Sequence, residues 1–278
     1  MPKVYEKIDM HCHTTPRRLS HTVGGDASID TIRSKMAQFN IKYSLMLATY
    51  FPKRGTGISN FRMLRWVERK NFEEFYIPDF IKFLMFGSLD FEHYFKQGFN
   101  ELEEMADQKL IKGIKIYSGY QNIEHTKLVQ VMHLALKYKL PVMFHTGDCI
   151  NSGGYYADMK EYVYLLSMFP EINFIYSHMC NPLVDKIIPL MLNHKNLFTD
   201  MSGLMRSGKE DSEKPEAISR IKRLYETCGM SQLMFGTDFP VQTHADSIYL
   251  SEQALSGASE SELKDFYFNN AARILGLV

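Results

Sequence analysis

Cysteine is scarce and scattered in this chain. Its four residues, Cys12, Cys149, Cys180 and Cys228, form no CxxC pair and no zinc-finger spacing, which argues against a disulfide framework and a structural zinc module. Tryptophan occurs once. Net charge is also missing: 32 basic side chains balance 32 acidic ones, so no electrostatic excess points to nucleic acid or an anionic membrane as partner. No apolar run approaches the ~20 residues that span a bilayer, and the first residues, Met1 to Lys7, lack the apolar stretch of a signal peptide. Tandem repeats and low-complexity segments are not seen. These absences leave the expectation of a cytoplasmic protein whose partner is a small molecule, with a homodimer as the default oligomeric state.

What is present is enough for a large core: 278 residues, 45% hydrophobic, with 16 Tyr and 19 Phe. Short apolar runs alternate with longer amphipathic ones from end to end, the pattern of βα units and a parallel sheet. Eight strand candidates stand out: Lys7–Thr14, Tyr43–Tyr50, Phe83–Asp90, Ile111–Tyr117, Pro141–Asp148, Asn173–Cys180, Asn196–Gly203 and Leu233–Pro240. Helical spacing fills the intervals, over Ser28–Phe39, Ser59–Asn71, Phe91–Gln108, Ile123–Lys139, Ala157–Phe169, Pro182–His194 and Pro215–Cys228, with Ala245–Leu255 and Ser259–Leu275 at the end. Ser259 to Glu262 reads as a capping box, and Pro182 and Pro215 fit first helical turns. This count predicts a (β/α)8 TIM barrel forming a single domain over residues 1–278. Thr49–Asn60 and Ser207–Lys214 are the expected mobile loops, both on the face where barrel enzymes place their chemistry.

The chemistry is concentrated at strand ends. In Ile8-Asp9-Met10-His11-Cys12-His13 the period of two along a strand projects His11 and His13 on one face. The fifth candidate ends in His145, the sixth in His178 and the eighth in Asp238. A barrel gathers such ends at one mouth, and four imidazoles with one carboxylate suit a divalent cation: zinc first, with iron, manganese or cobalt as alternatives. Any one of these histidines alone would more often be a packing residue; their coincidence is the signal. His21, His93, His125, His133 and His194 fall in loops or helices and read as structural, as does His244.

These motifs resemble the amidohydrolase superfamily, with HxH on the first strand, single histidines ending the fifth and sixth and Thr-Asp ending the eighth. The wording of Ile8–His13, Gly113–Ile116, Phe235–Pro240 and Asn269–Leu277 is similar to the amidohydrolase-related branch, which also holds decarboxylases of the aminocarboxymuconate semialdehyde type. The resemblance implies one metal on His11, His13, His145 and Asp238, with His178 beside it. Asp238 would act as general base towards a metal-activated water, and His178 would polarise a carbonyl.

In Gly113-Ile-Lys-Ile116 strand alternation turns Lys115 inward. Binuclear members of the superfamily carbamylate a lysine on this strand, so a two-metal site using Lys115, His145 and His178 is the alternative to one metal. Otherwise Lys115 is a buried lysine paired with Asp9, Asp148 or Asp200. Asp9 is also a candidate to orient the His11 ring. Arg17, Arg18 and Arg206 are candidates to clamp a substrate carboxylate, and Tyr50, Tyr117 and Tyr120 to line the pocket. The reading that results is a metal-dependent hydrolase of a small amide, lactone or ester. A nonoxidative decarboxylase (a lyase) of a small carboxylic acid is second, and a non-catalytic binding barrel third.

Overall fold

The computed structural model describes residues 5–15, 26–51, 56–73, 81–147, 162–205 and 210–278. Its strands are β1 (Lys7–Cys12), β2 (Ile41–Leu47), β3 (Thr49–Phe51), β4 (Thr56–Ile58), β5 (Lys82–Ser88), β6 (Ile114–Ile116), β7 (Val142–Phe144), β8 (Phe174–Tyr176), β9 (Leu197–Asp200) and β10 (Leu233–Met234). Its helices are α1 (Ile29–Gln38), α2 (Asn60–Glu73), α3 (Phe95–Asp107), α4 (His125–Tyr138), α5 (Val163–Met168), α6 (Val184–Asn193), α7 (Glu210–Cys228), α8 (His244–Ala254), α9 (Glu260–Lys264) and α10 (Asn270–Ile274). Eight strands form one sheet in the order β1-β2-β5-β6-β7-β8-β9-β10, while β3 and β4 form a separate hairpin. A helix follows every strand of the large sheet, which is the (β/α)8 topology of a TIM barrel.

All eight expected strands are found, each shorter than the apolar run that announced it. Three helical expectations change. Pro215 lies inside α7, whose first turns begin at Glu210, so Glu210–Lys214 is helix rather than loop. The run Ser259–Leu275 is α9, a π-helical turn over Asp265–Asn269, and α10. Helix α6 starts two residues after Pro182. The Ser259 capping box is present: the Ser259 side chain accepts from Glu262 N–H and Glu262 reaches back to the Ser259 N–H.

Backbone packing divides the chain into two compact units, one of Met1–Met46, Glu68–Phe83 and Thr199–Val278, the other of Leu47–Val67 and Leu84–Phe198. In the first, β1 pairs in parallel with β2, with an irregularity in register between Asp9 and Cys12, and β9 pairs in parallel with β10. The segment after β10 is laced to β1: Met10 N–H bonds to Phe235 O at 3.1 Å, Asp238 N–H to His11 O at 2.7 Å and His13 N–H to Phe239 O at 2.8 Å. Phe235 packs on Phe266 and Tyr267 of the π turn at 6.2 and 5.6 Å.

In the second unit β6, β7 and β8 run in parallel register, Ile114 beside Val142 and Val142 beside Phe174. Alternation puts Ile114, Ile116, Val142, Phe144, Phe174 and Tyr176 on one face, all fully buried. The Phe144 ring stacks on Tyr162 at 4.7 Å. Each such side chain stabilises the fold by roughly 1.5–3 kcal/mol. That apolar face forces Lys115 to the opposite one, where it is equally buried.

Candidate metal centre

In the first unit His11, His13 and Asp238 are brought together by β1 and the strand end after β10. His11 Nε2 lies 3.5 Å and His13 Nε2 3.3 Å from Asp238 Oδ1, and the two imidazole rings stand 5.3 Å apart at 69°. The ligand atoms of the trio all fall within 4.8 Å of one another. Donors about 2.1 Å from a tetrahedral cation are separated by about 3.4 Å, close to the spacing observed. The residues present therefore fit a divalent cation, and the donor types suit zinc or a harder first-row ion.

The other nitrogen of His11 explains its orientation. Nδ1 faces Asp200 Oδ2 at 3.2 Å, and Asp200 is itself held by the Ser202 N–H at 3.2 Å and the Ser202 hydroxyl. A proton on Nδ1 donated to Asp200 leaves the Nε2 lone pair free for a cation. Asp200 is fully buried, and Gly236 is what makes room for the pair. A Cβ on Gly236 would stand 3.3 Å from the Cβ atoms of Asp200, His11 and Ser202.

Asp9 does something other than orient the His11 ring. Its Oδ1 accepts the His11 backbone N–H at 3.1 Å and the Thr237 N–H at 2.9 Å, and its Oδ2 accepts the Thr237 hydroxyl at 2.7 Å. The carboxyl thus faces backbone rather than ring, at a point where the ladder of β1 with β2 shifts register. Burial pushes the Asp9 carboxyl up to about 7, with its hydrogen bonds from Thr237 and His11 holding it lower than burial alone would. His244 lies beyond, its Nε2 3.7 Å from Asp9 Oδ2. It packs between Phe39 at 6.0 Å and Phe239 at 4.8 Å, and neither of its ring nitrogens has a hydrogen-bond partner among the described residues. Burial holds its imidazole down to about 3.

Asp238 has a left-handed backbone, with φ of 59°, a conformation that costs a non-glycine residue of the order of 1 kcal/mol. Its neighbours fix it there. The Phe239 N–H donates to Thr237 Oγ at 3.1 Å, and the Asp238 carbonyl accepts the Val241 N–H at 2.8 Å.

In the second unit the structure brings His145 and His178 together, Nδ1 to Nε2 at 3.3 Å with ring centroids 5.0 Å apart. His145 is flanked by the edge of Tyr120 at 5.1 Å. Beyond β8 the chain makes a short left-handed turn: His178, Met179 and Cys180 have φ of 63°, 51° and 56°. Ser177 is its anchor, its carbonyl taking the Thr146 hydroxyl at 2.6 Å and its hydroxyl the Lys115 Nζ at 2.7 Å. Gly147 passes so close that a Cβ there would meet the Asn181 carbonyl oxygen at 2.5 Å. The Lys115 ammonium also sits 5.5 Å from the centre of the buried Tyr117 ring.

Tyr50 lies in β3. Arg17, Arg18, Arg206, Asp148 and Cys149 lie outside the described residues. Asp200, expected from the sequence only as a possible partner of Lys115, stands beside His11 instead. Its signal was available: in Phe198-Thr-Asp200-Met-Ser202 two polar residues alternate onto one face at the end of the seventh strand.

The fold is a parallel (β/α)8 barrel with a His, His, Asp trio at its strand ends that could hold a metal ion. The amidohydrolase family model matches residues 8–277, and the chain belongs to that family. No curated protein matches it. Among solved structures, an amidohydrolase from Burkholderia multivorans with bound zinc matches with a TM-score of 0.70 at 13% identity, over 98% of this chain and 99% of that one. A probable 2-pyrone-4,6-dicarboxylic acid hydrolase from Acinetobacter baumannii, with citric acid bound, matches at 0.68 and 16% identity over 98% and 99%. A dihydroxybenzoic acid decarboxylase from Polaromonas sp. JS666, with manganese and 2-nitroresorcinol, matches at 0.64 and 14% over 98% and 97%. At these identities the likeness is one of fold. Among the described residues no helix is long and apolar enough to cross a membrane.

Proposed function

We propose that the chain is a metal-dependent hydrolase of a small amide, lactone or ester, acting as a single domain. It holds one divalent cation, zinc first, on His11, His13 and Asp238, with His145 as a further ligand. The observation that carries this reading is the spacing of two imidazole Nε2 atoms at 3.5 and 3.3 Å from one carboxylate oxygen, the edge lengths of a tetrahedral donor set. The zinc and manganese bound by proteins of the same fold support the choice of ion.

When bound, the cation supplies Lewis acidity, polarising a carbonyl and acidifying water from ~15.7 to roughly 7. The rest falls to side chains. Asp238 accepts the proton of the attacking water and passes it to the leaving group. His178, fixed by the left-handed turn and seated against His145, donates to the developing oxyanion. Asp200 keeps the His11 proton on Nδ1. Lys115 donates to Ser177, whose carbonyl holds the Thr146 hydroxyl, and so helps to anchor the turn that carries His178.

The test is to strip the protein with a chelator and reload it with zinc or manganese. The products from a panel of lactones, esters and amides and from small aromatic carboxylic acids are then identified. Metal-restored hydrolysis is the expected result. Metal-restored release of CO2 would transfer the site to the decarboxylase reading, and failure to retain metal would overturn both and leave a binding barrel.

A further inference from the structure

The proposed metal centre is divided between two segments, β1 carrying His11 and His13, and the turn after β10 carrying Asp238. Donor spacing near 3.4 Å survives only if these segments keep their register to within a few tenths of an ångström. Backbone hydrogen bonds join the two segments, Met10 N–H to Phe235 O, Asp238 N–H to His11 O and His13 N–H to Phe239 O. One side chain adds a further link, accepting a backbone N–H from each segment.

We propose that Asp9 is a positioning residue of the metal centre, a carboxylate clasp that locks the His11 backbone to Thr237 and thereby sets His11 against Asp238. The inference rests on the reading of the site as a metal centre. Asp9 is fully buried, and both of its oxygens are engaged. Oδ1 receives two backbone N–H groups, from His11 at 3.1 Å and Thr237 at 2.9 Å, one from each metal-bearing segment. Oδ2 receives the Thr237 hydroxyl at 2.7 Å. That hydroxyl oxygen accepts the Phe239 N–H at 3.1 Å. Asp238 lies between Thr237 and Phe239 with φ of 59°, so the clasp brackets the strained residue on both sides. A left-handed backbone persists only where its surroundings over-determine it, and here the Asp9 and Thr237 side chains do so. Deleting the carboxylate frees two buried backbone donors and releases the bracket.

The experiment measures the Zn²⁺ dissociation constant by competition with a chromogenic chelator, with circular dichroism reporting the fold. Outer-shell partners typically contribute 10–100-fold in metal affinity, and Asp9→Ala should weaken Zn²⁺ binding by that factor. Asp9→Asn keeps an oxygen for the two N–H groups and should recover most of the loss. Thr237→Val, which keeps the shape and removes the hydroxyl link, should weaken binding by about tenfold, the lower end of that range, and serves if Asp9→Ala does not fold. The control is Asn270→Ala. Asn270 is buried and donates to Met230 O and Leu233 O, so its loss should lower thermal stability while leaving Zn²⁺ affinity unchanged. A folded Asp9→Ala or Thr237→Val protein with wild-type affinity would overturn the clasp, as would an Asn270→Ala variant that weakens binding equally. Wild-type protein that binds no Zn²⁺ would overturn the metal reading itself.

Discussion

Replacing Asp200 by Asn changes one atom and is the most direct perturbation of the His11 donor. In the wild type Asp200 Oδ2 faces His11 Nδ1 at 3.2 Å, and Oδ1 takes the Ser202 N–H and hydroxyl. An amide satisfies only one of these arrangements. If its NH2 turns to Ser202 it opposes a backbone N–H, and if it turns to His11 it opposes the Nδ1 proton or drives that proton to Nε2. The first outcome leaves a buried donor unpaired, which costs about 1–3 kcal/mol of stability. The second occupies the nitrogen that must bind metal. A loss of 10–100-fold in Zn²⁺ affinity is expected, equivalent to about 1.4–2.7 kcal/mol. Competition titration measures the affinity, and ¹⁵N chemical shifts of His11 in the metal-free protein report which nitrogen carries the proton. A variant that binds Zn²⁺ within twofold of wild type, with the Nδ1 proton in place, would refute the argument that Asp200 sets the His11 tautomer.

Other substitutions address the remaining roles. Asp238→Asn should keep the fold, seen as an unchanged circular dichroism spectrum, and abolish turnover; an active variant would remove Asp238 from its role as base. Lys115→Met should retain one metal per chain by elemental analysis, whereas a fall from two metals towards one would support the bridged centre. His244→Leu should be neutral or stabilising near pH 7, because the imidazole is buried without a hydrogen-bond partner among the described residues. The same variant should resist acid better than wild type. The folded His244 titrates near 3 against 6.5 unfolded, so the unfolded chain binds the extra proton and stability falls as pH drops below about 6.5. The difference reaches roughly 3 kcal/mol by pH 4. Urea melts at pH 7 and pH 4 that fall equally for both proteins would contradict this assignment.

The alternation of elements was legible because short apolar runs alternate with longer amphipathic ones along the chain. The HxH pair was legible because it sits on a strand, where two residues always share a face. Asp238 and His178 could be placed at strand ends, but their left-handed backbones could not be read. They follow from tertiary contacts such as the Thr146 hydroxyl on Ser177 O and the Phe239 N–H on Thr237 Oγ. Asp9 was visible as a polar residue on the His11 face, yet its true partners are backbone groups exposed by an irregular ladder. Sequence periodicity carries no trace of that irregularity. Pro215 misled because a proline often opens a helix, and here α7 starts five residues earlier and runs through it.

The position of the donors relative to the ladders has a consequence for how this chain can change. His13, His145, His178 and Asp238 all lie beyond the ends of β1, β7, β8 and β10; the bonds that His13, His145 and Asp238 make to neighbouring segments are backbone bonds, which do not depend on the identity of the side chain. The scaffold and the chemistry are therefore nearly independent inheritances: strand ends can be rewritten one at a time while the apolar faces of β6, β7 and β8 keep the architecture intact. His11, Asp9 and Asp200 are different, since they are buried within the strands and bind both the fold and the site. Divergence in reaction should accumulate at the first group, and these three should mark the part of the centre that resists it.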